Sequence, residues 1–581
     1  MKQDILKLVK SGLEKIPELE EFLNDEIIEK AVERTKDNKY GHFTSNIAMR
    51  FAKRTNKNPR ELAKQIIEQI PDNELVNEVN IAGPGFINFH LSENFFHREI
   101  VKIIKNNHLY GKNLHKRKGN ILLEFVSANP TGPLHVGHGR HAAFGATLGN
   151  ILEATGYKVH REYYVNDAGR QMDILSASVI IRKLEPKNPK VNLPSSCYQG
   201  DYIKEIAQSI ELKTEINLAE RIIQLAIHDK DEEKEQHIDQ IIFAVKEVLG
   251  LEEFNAIRTV ALETIRSDIE KDLQEFGVVF DTWFSEDSLT EKGHIEKALK
   301  ILDQQKLLYK KDGAIWFKAT DFDDEKDRVV TRENNNNTYF TSDIAYHHNK
   351  KIRGFDHLID ILGSDHHGYI ARVKAGLTAM GHRANDLEVE LVQFVSLFRA
   401  GIKQSMSTRS GEFITLRQLR EEVGNDAARF FYIMRSNEQH LDFDLELAKS
   451  KSNENPVYYI QYAHARIASV FRQLGEKILT FEEDSGKRNL TLLKSTKEKN
   501  IMSLLSRFPE IIELSANNRA PHNLAQYLRD LATEFHSYYN DSTFIVDEND
   551  IRNARLVLIK STQIVLSNGL KLLGVSAPEA M

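Results

Sequence analysis

The amino-acid sequence predicts a multidomain α/β protein, in which a parallel β-sheet lies between a small α/β unit and an all-helical C-terminal end. The first observation is length, because 581 residues are more than a single hydrophobic core organises. The second is a pair of apolar runs at 121–126 and 355–363, each bounded by turn residues as buried parallel strands are. The third is the stretch beyond residue 456, where apolar residues recur at helical spacing.

Composition excludes several classes of protein. Hydrophobic residues make up 41% of the chain and charged residues 28%, and no run of about 18 apolar residues occurs, so we expect no membrane contact. The single cysteine, Cys197, excludes an intrachain disulfide and favours a reducing compartment, so we expect a cytoplasmic protein. The net charge of −7 argues against a chain-wide nucleic-acid surface, and any such surface must therefore be local.

The first unit is predicted to span residues 1–112. Helical patterns lie near 3–23 and 59–70, and the segment 79–89 alternates as a strand that follows a Gly/Pro turn. This mixture predicts a small α/β appendage that precedes the parallel sheet.

The next unit, 113–400, contains the most informative segment of the chain. The strand at 121–126 is halted by an Asn-Pro-Thr-Gly-Pro turn, and a helical pattern follows in which His135 and His138 share one face of the first turn. Backbone N–H groups and the positive end of the helix dipole make such a turn a phosphate site. A zinc pair would require further Cys or His at ligand spacing nearby, and a pair of purely structural histidines is the other alternative.

Downstream segments complete this unit. The charge-dense helical pattern of about 185–300 predicts an insertion into the sheet domain, and strands return at 313–318 and 327–331. The buried strand at 355–363 ends in Ser-Asp-His-His-Gly. Asp365, His366 and His367 there suggest a metal site, but adjacent side chains on an extended segment diverge, so we predict none.

These motifs resemble those of a known family. The segment from His135 to His138 resembles the His-Ile-Gly-His motif of class I aminoacyl-tRNA synthetases, and Ser405-Met-Ser-Thr-Arg-Ser-Gly411 resembles their Lys-Met-Ser-Lys-Ser loop. The ordered segments 413–416, 423–430, 440–445 and 452–466 are similar to those of bacterial arginyl-tRNA synthetases. The resemblance extends from about residue 80 to 581.

The resemblance implies the architecture and the reaction. It implies a Rossmann-like catalytic domain at 113–400, a loop and stem-contact connection at 401–455, an anticodon-binding bundle at 456–581, and an N-terminal unit that contacts the tRNA elbow. It also implies an arginine–tRNA ligase that uses ATP with Mg²⁺, L-arginine and tRNA(Arg), acts as a monomer and needs no structural zinc. A class I-like nucleotidyltransferase and a non-catalytic tRNA-binding paralogue are the rival functions.

The resemblance also assigns residues to the two small substrates. A guanidinium offers five donors in a fixed plane, so its pocket needs carboxylates placed for two-point hydrogen bonding. The arginine-binding candidates are Glu124, Asn129, Tyr339, Asp343 and His366. The ATP-binding candidates are Pro133, His135, Gly137, His138, Gly363, Asp365, His366, Met406 and Ser407. Without the resemblance, Asp343 would be interpreted as a helix cap.

The loop at 405–411 departs from its class. Ser405 and Thr408 stand where the two lysines are usual, and Gly132 stands where some members of the family carry a compensating lysine. Charge that develops on the leaving pyrophosphate still needs a cation. We therefore expect Arg409, and next Lys403, to join His135 and His138 as catalytic residues. The alternative is that Arg409 only pairs with a nearby carboxylate.

Two regions are the tRNA-binding candidates. Tyr459, Tyr462 and Met581 resemble the anticodon-contacting residues of the helical bundle, where aromatic rings stack on unpaired bases. Tyrosines three residues apart can instead form a core stripe. In the N-terminal unit, Phe86 and Asn88 resemble the strand that contacts the tRNA elbow.

Overall fold

The structure is a computed structural model that describes residues 2–35, 38–113, 115–117, 119–213, 215–225, 231–404 and 413–581. The candidate site residues Met406, Ser407 and Arg409 lie outside these described residues. Within the described part of the chain, the strands form one parallel five-stranded sheet and three smaller sheets.

The N-terminal unit is an antiparallel sheet covered by helices. Its elements are α1 (Lys2–Leu13), α2 (Asp25–Ala31), β1 (Val32–Arg34), β2 (Phe43–Ser45), α3 (Ile47–Thr55), α4 (Pro59–Gln69), β3 (Val76–Ala82) and β4 (Phe86–Leu91). The strand order is β1-β2-β4-β3, and the unit encloses a core of its own. The prediction of a single strand over 79–89 is wrong. The segment is a hairpin, because Gly83 and Gly85 adopt φ of 51° and 135° and reverse the chain.

Helix α5 (Glu93–Asn106) joins this unit to the rest of the molecule. Ser92 caps it by accepting a hydrogen bond from the backbone N–H of Phe95. Phe95 belongs to the N-terminal core, whereas Ile100 and Ile103 belong to the main core. The domain end at 112 stays a prediction, and the two cores meet within α5.

The parallel sheet begins after this helix. The elements from 120 to 304 are β5 (Asn120–Glu124), α6 (Val136–Ala154), β6 (Lys158–Val165), α7 (Arg170–Leu184), α8 (Asp201–Ser209), α9 (Glu215–Gln224), α10 (Asp231–Glu275), β7 (Thr282–Ser285), α11 (Asp287–Glu291) and α12 (His294–Gln304). Helix α10 is interrupted at Gly250, where φ is 76°. The predicted helical insertion over 185–300 is too long, because β7 within it pairs with β6 in the parallel sheet. A strand of four residues is too short to show a period in the sequence.

The second half of the sheet lies on the other side of β5. The elements from 308 to 392 are β8 (Leu308–Lys311), β9 (Ala314–Phe317), β10 (Arg328–Thr331), α13 (Tyr339–Ile352), β11 (His357–Gly363), α14 (Ile370–Ala379) and β12 (Leu387–Val392). Strands β8 to β10 form a small antiparallel sheet, which confirms the predicted strands at 313–318 and 327–331. The parallel order is β12-β11-β5-β6-β7. The chain adds β6 and β7 on one side of β5 and then returns to add β11 and β12 on the other side, so the strand order reverses between β5 and β11. Ligands bind at such a switch point in open α/β sheets.

A three-stranded sheet connects the parallel sheet to the bundle. The elements from 395 to 449 are β13 (Val395–Arg399), β14 (Ile402–Lys403), α15 (Leu416–Val423), α16 (Asn425–Ile433), β15 (Leu441–Asp444) and α17 (Leu445–Lys449). Strand β13 pairs with both β14 and β15. The boundary between 400 and 401 stays a prediction; it falls in the hairpin turn of β13 and β14, where Ala400 and Gly401 have positive φ.

The C-terminal bundle is helical, as predicted. Its helices are α18 (Pro456–Glu476), α19 (Glu483–Arg488), α20 (Thr496–Asn517), α21 (Pro521–Asp541) and α22 (Asn549–Leu573). Its core is continuous with that of the parallel sheet, since Leu123 and Leu148 belong to the same cluster as Leu528 and Leu566. Helix α22 is long and apolar enough to cross a membrane, but 78% of its most apolar window is buried inside the molecule, as in the central helix of a bundle.

Two buried arginines tie these parts together through backbone carbonyl groups. Arg140 of α6 donates to the carbonyl oxygens of Gln393, Ser436 and Gln439, each at 2.8 Å. Arg429 of α16 donates to the carbonyl oxygens of Phe276 and Leu573, at the ends of α10 and α22. Each arginine satisfies carbonyl groups that the fold would otherwise leave buried without partners.

Candidate active site

A cavity of about 1060 Å³ opens at the carboxyl ends of β5 and β11. The predicted site residues that line it are Glu124, Asn129, His135, Gly137, His138, Tyr339, Asp343, Gly363, Asp365 and His366. Residues far apart in the sequence therefore meet in one space, at the switch point of the sheet.

The turn after β5 carries backbone strain. Val126 and Ser127 adopt φ of 69° and 39°, a region that a β-branched residue such as valine rarely enters. Hydrogen bonds hold the turn in place, because the Tyr163 hydroxyl donates to the carbonyl of Ala128 at 2.8 Å and the Tyr202 hydroxyl to that of Thr131 at 2.7 Å. The strained turn fixes the start of α6 against the cavity.

The two motif histidines cap that helix. His135 Nδ1 accepts from the backbone N–H groups of Gly137 and His138, at 3.1 and 3.3 Å, and His138 Nδ1 accepts from the N–H of His135. Because both Nδ1 atoms accept, the proton of each neutral ring lies on Nε2, which remains a donor. Burial lowers the pKa of both imidazoles. The pair thus offers neutral N–H donors at a helix N-terminus.

Gly137 permits this arrangement. A Cβ at that position would lie 2.9 Å from Cε1 of His135, so a larger residue would displace the capping ring. The two rings stack with centroids 3.6 Å apart. The glycine is therefore explained by the packing of the histidines.

A third histidine, His141, lines the cavity one turn further along α6. Burial, and then the charge of Arg140, lower its pKa to about 4. His141 is not among the predicted site residues, although its spacing of three residues from His138 places it on the same helix face.

The opposite end of the cavity is acidic. Asp343 lies in the second turn of α13, and burial raises its pKa to about 6 despite a hydrogen bond from the Tyr369 hydroxyl. Asp343 is not the helix cap, because α13 begins at Tyr339. Glu286 also lines the cavity, and burial, followed by the charges of Asp343 and Asp167, raises its pKa to about 7. Glu286 was missed because it follows β7, inside the predicted helical insertion.

The other arginine-binding candidates surround these carboxylates. Glu124 ends β5, and its carboxylate accepts hydrogen bonds from Lys350 at 2.6 Å and from the Ser127 hydroxyl at 3.0 Å. Asn129 accepts a hydrogen bond from the side chain of Asn166 at 3.1 Å. Tyr339 lies at the rim, and 62% of it is exposed.

The end of β11 supplies the remaining nucleotide candidates. A Cβ at Gly363 would lie 2.5 Å from Oδ1 of Asp365, so a larger residue there would turn the exposed Asp365 carboxylate aside. The side chains of Asp365 and His366 are exposed, with 3.8 Å between Oδ2 and Nε2. Among the described residues, no group of three or more His, Cys, Asp or Glu side chains is arranged to hold a metal ion.

Some predicted residues lie elsewhere. Pro133 is not among the residues that line the cavity, and Lys403 is an exposed residue of β14 outside it. Among the described residues that line the cavity, none is a lysine or an arginine. The predicted cation of the loop, Arg409, lies outside the described residues, so its place relative to the cavity stays a prediction.

The tRNA candidates of the bundle form a half-buried aromatic cluster. Tyr459 and Tyr462 lie against His536, with ring centroids 4.4 and 5.8 Å apart, and the Arg466 guanidinium lies 4.4 Å from the Tyr462 ring centroid. Neither ring is fully enclosed by the core, and Met581 is 53% exposed. These side chains can therefore meet a partner.

The two candidates of the N-terminal unit differ in exposure. Phe86 is half-buried, but Asn88 is only 4% exposed because it pairs between Thr44 and Asn80 in the sheet. The contact of Asn88 with tRNA stays a prediction, made for a residue in an inner strand of the sheet.

Comparison with known families matches most of the chain in three parts. Residues 3–91 match the arginyl tRNA synthetase N terminal domain, 99–446 the catalytic domain of class I (R) tRNA synthetases, and 460–581 the DALR anticodon binding domain. The family matches thus follow the order of the N-terminal unit, the parallel sheet and the bundle.

Individual proteins are similar over the full length of the chain. The arginine–tRNA ligase of Thioalkalivibrio sulfidiphilus is 49% identical over 586 residues, and that of Legionella pneumophila is also 49% identical over 586 residues, with 100% of both chains covered in each comparison. The solved structure of the Thermus thermophilus arginyl-tRNA synthetase superimposes with a TM-score of 0.74 at 22% identity, covering 100% of both chains.

Proposed function

The chain belongs to the arginyl-tRNA synthetase family, and from that premise we propose how its own residues divide the work of the reaction. The enzyme uses ATP to join L-arginine to tRNA(Arg). The rival functions, a nucleotidyltransferase and a silent tRNA-binding paralogue, are set aside by full-length identity to arginine–tRNA ligases.

The observation that carries the proposal is the polarity of the cavity. Two carboxylates with raised pKa, Asp343 and Glu286, line one end, and the neutral imidazoles of His135 and His138 line the other, at the start of α6. A bound guanidinium offsets the free-energy cost of burying the ionised carboxylates. Helix N–H groups and imidazole N–H groups are donors that bind phosphate oxygens. Arginine therefore lies with its side chain toward α13 and its carboxylate toward α6.

In this orientation the substrate carboxylate attacks the α-phosphate of ATP, arginyl-adenylate forms and pyrophosphate leaves. No side chain acts as a nucleophile, so the protein contributes positioning and charge stabilisation. The Nε2–H groups of His135 and His138 donate to the α-phosphate oxygens as charge develops. ATP would carry Mg²⁺ into the cavity, where the ion would supply positive charge to the phosphates that hold it.

The remaining candidates have narrower roles. Asn129 orients the amino-acid end of arginine, Tyr339 closes over the side chain and His366 contacts the adenylate. Gly363 and Asp365 bind the ribose, and Met406 and Ser407 the nucleotide. Arg409, or else Lys403, supplies the cation for the leaving pyrophosphate, since the described cavity lining contains none.

The tRNA spans the molecule in this proposal. Tyr459, Tyr462 and Met581 contact the anticodon loop, Phe86 contacts the elbow, and residues between 401 and 455 contact the stem. The three family matches support a division into an N-terminal unit, a catalytic domain and an anticodon-binding bundle. The enzyme acts as a monomer in the cytoplasm.

The experiment is pyrophosphate exchange with each of the twenty amino acids, with and without bulk tRNA. We expect exchange with arginine alone, and only when tRNA is present, because family resemblance implies that adenylate formation requires bound tRNA. Exchange with another amino acid would contradict the assignment of the acidic end, and exchange of equal rate without tRNA would contradict the tRNA requirement.

A further inference from the structure

A lysine is buried beneath the acidic end of the cavity, and the roles described above do not use it. Lys350 of α13 is 0% exposed. Its Nζ donates to Oε2 of Glu124 at 2.6 Å and to Oδ1 of Asp360 at 2.8 Å. It also lies 4.3 Å from the ring centroid of Tyr346. One ammonium group thus joins two neighbouring parallel strands, at the last residue of β5 and the middle of β11.

The ammonium group carries its charge in this position. Burial alone would lower its pKa, but the charges of Asp360 and Glu124 raise the pKa of Lys350 above its usual value. A buried charge is tolerated when it is paired and hydrogen-bonded, and is costly when one partner is removed. Lys350, Glu124 and Asp360 therefore depend on one another.

His347 extends the network to the backbone of an arginine-binding residue. Its Nε2 lies 2.8 Å from Oδ2 of Asp360, and its Nδ1 lies 2.8 Å from the carbonyl oxygen of Asp343. His347 therefore links Asp360, a partner of Lys350, to the backbone of Asp343.

We propose that Lys350 is a positioning residue for arginine selection: it holds the Glu124 and Asp360 carboxylates in ion pairs below the pocket and leaves Asp343 and Glu286 to bind the arginine side chain. The role rests on the proposed placement of arginine at the acidic end. Its consequence is that Glu124 shapes the floor of the pocket and does not act as a free anion toward the guanidinium. Two uncompensated carboxylates match the two edges of a guanidinium, whereas a third would attract any cationic side chain.

The test is Lys350→Met, assayed by pyrophosphate exchange in the presence of tRNA. We expect KM for arginine to rise at least about tenfold, while KM for ATP stays within about twofold, because only the floor under the amino acid changes. The L-lysine ratio, defined as the inhibition constant of L-lysine divided by KM for arginine, should fall at least about tenfold. The reason is that Glu124 becomes free to attract an ammonium group. An equal rise of both KM values, or an unchanged ratio for L-lysine, would overturn the proposal.

The neighbouring Lys351 provides the matched control. Its Nζ lies 3.0 Å from Asp386 and donates to the carbonyl oxygen of Asp356, away from the cavity. Lys351→Met should leave both KM values and the L-lysine ratio within about twofold of the parent. A parent enzyme that does not exchange pyrophosphate with arginine would overturn the proposed function itself. A parent that does so while Lys350→Met is unchanged would overturn only the role of Lys350.

Three further variants decide the question if Lys350→Met does not fold. Lys350→Arg keeps the positive charge and should keep the L-lysine ratio within about threefold of the parent, even where its melting temperature falls. Glu124→Gln leaves the Lys350 charge without one of its two partners, so KM for arginine should rise at least about tenfold, and the double variant Lys350→Met/Glu124→Gln, which removes one cation with one anion, should fold and bring that KM back to within about threefold of the parent. A double variant whose arginine KM is no lower than that of Glu124→Gln would contradict the proposal.

Discussion

The two ends of the cavity solve the same electrostatic problem in opposite ways. Burial drives both toward neutrality, since it raises the pKa of Asp343 to about 6 and that of Glu286 to about 7, and lowers the pKa of His135 and His138. At the acidic end, the carboxylates ionise readily only when a cation binds beside them. At the histidine end, the imidazoles are neutral and stabilise charge through oriented N–H donors. Selectivity for a charged substrate therefore belongs to the acidic end, and stabilisation of the reacting phosphate to the histidine end.

The largest effect is expected at the histidine end. His138→Ala removes an Nε2–H donor and the acceptor of the His135 backbone N–H, so the rate of adenylate formation should fall by about 10²- to 10³-fold. Equilibrium binding of arginine should not change. Single-turnover kinetics measures the rate, and His348→Ala, which alters a histidine paired with His382, is the control. A rate within about twofold of the parent would remove His138 from the chemistry.

A smaller effect, on binding alone, is expected at the acidic end. Asp343→Asn replaces a charge-assisted hydrogen bond by a neutral one, so arginine should bind more weakly by about 2 kcal/mol, roughly 30-fold. ATP binding should be unchanged, because the nucleotide lies at the other end. Calorimetric titration of each ligand measures both constants. Equal losses for arginine and ATP would indicate damage to the fold and contradict the division into two ends.

The pH dependence of arginine binding sharpens the comparison further. The guanidinium binds the ionised carboxylates, and these are protonated in the free enzyme below pH values of about 7 for Glu286 and about 6 for Asp343. Arginine affinity should therefore fall roughly tenfold from pH 7.5 to pH 6, and binding near pH 6.5 should release protons. Titration in two buffers of different ionisation enthalpy measures that release. Glu286→Gln should remove the change of arginine affinity near pH 7 and leave the change near pH 6. An arginine affinity that does not vary with pH in the parent would contradict the raised pKa values.

The smallest effect is expected in the bundle, far from both ends. Tyr462→Ala should weaken tRNA(Arg) binding by about 1 kcal/mol, through loss of one stacking surface. At saturating tRNA the rate of adenylate formation should stay within about twofold of the parent, because neither end of the cavity changes. Filter binding measures the affinity, and Tyr462→Phe, which keeps the ring, is the control. A similar loss in Tyr462→Phe would show that stacking is not the role of this ring.

The difference between the two ends also explains which site residues could be predicted from the sequence. The histidine end lies within one helical turn, so the spacing of His135 and His138, the preceding turn and the helix pattern were all visible in the sequence. The acidic end is assembled from β5, the residue after β7 and α13, which meet only in the folded sheet. Asp343 was found through the family resemblance, and Glu286 was missed because a four-residue strand leaves no periodic signal.

For larger elements as well, the predictions were correct where the pattern is local in the sequence. The long apolar strand at 355–363, the strand–helix–strand unit around α6 and the C-terminal helices have strong periodic patterns and are confirmed. The boundaries at 112 and 400 stay predictions; in the structure, α5 is shared between two cores and Ala400 lies in a hairpin turn. Sharing of a core is a tertiary property, which local patterns in the sequence do not express.

The division of α5 between two cores determines the order in which the parts of the molecule unfold. The N-terminal unit has a closed core of its own and meets the bundle through pairs such as Arg34 with Glu510, whereas the parallel sheet and the bundle share one core. Backbone amides of residues 2–91 should thus exchange with solvent by a local opening, at a lower free energy than the amides of β5 and α22, which open only together. On warming, the N-terminal unit melts first as a separate cooperative unit, while the cavity and the bundle keep their shape until a single later transition.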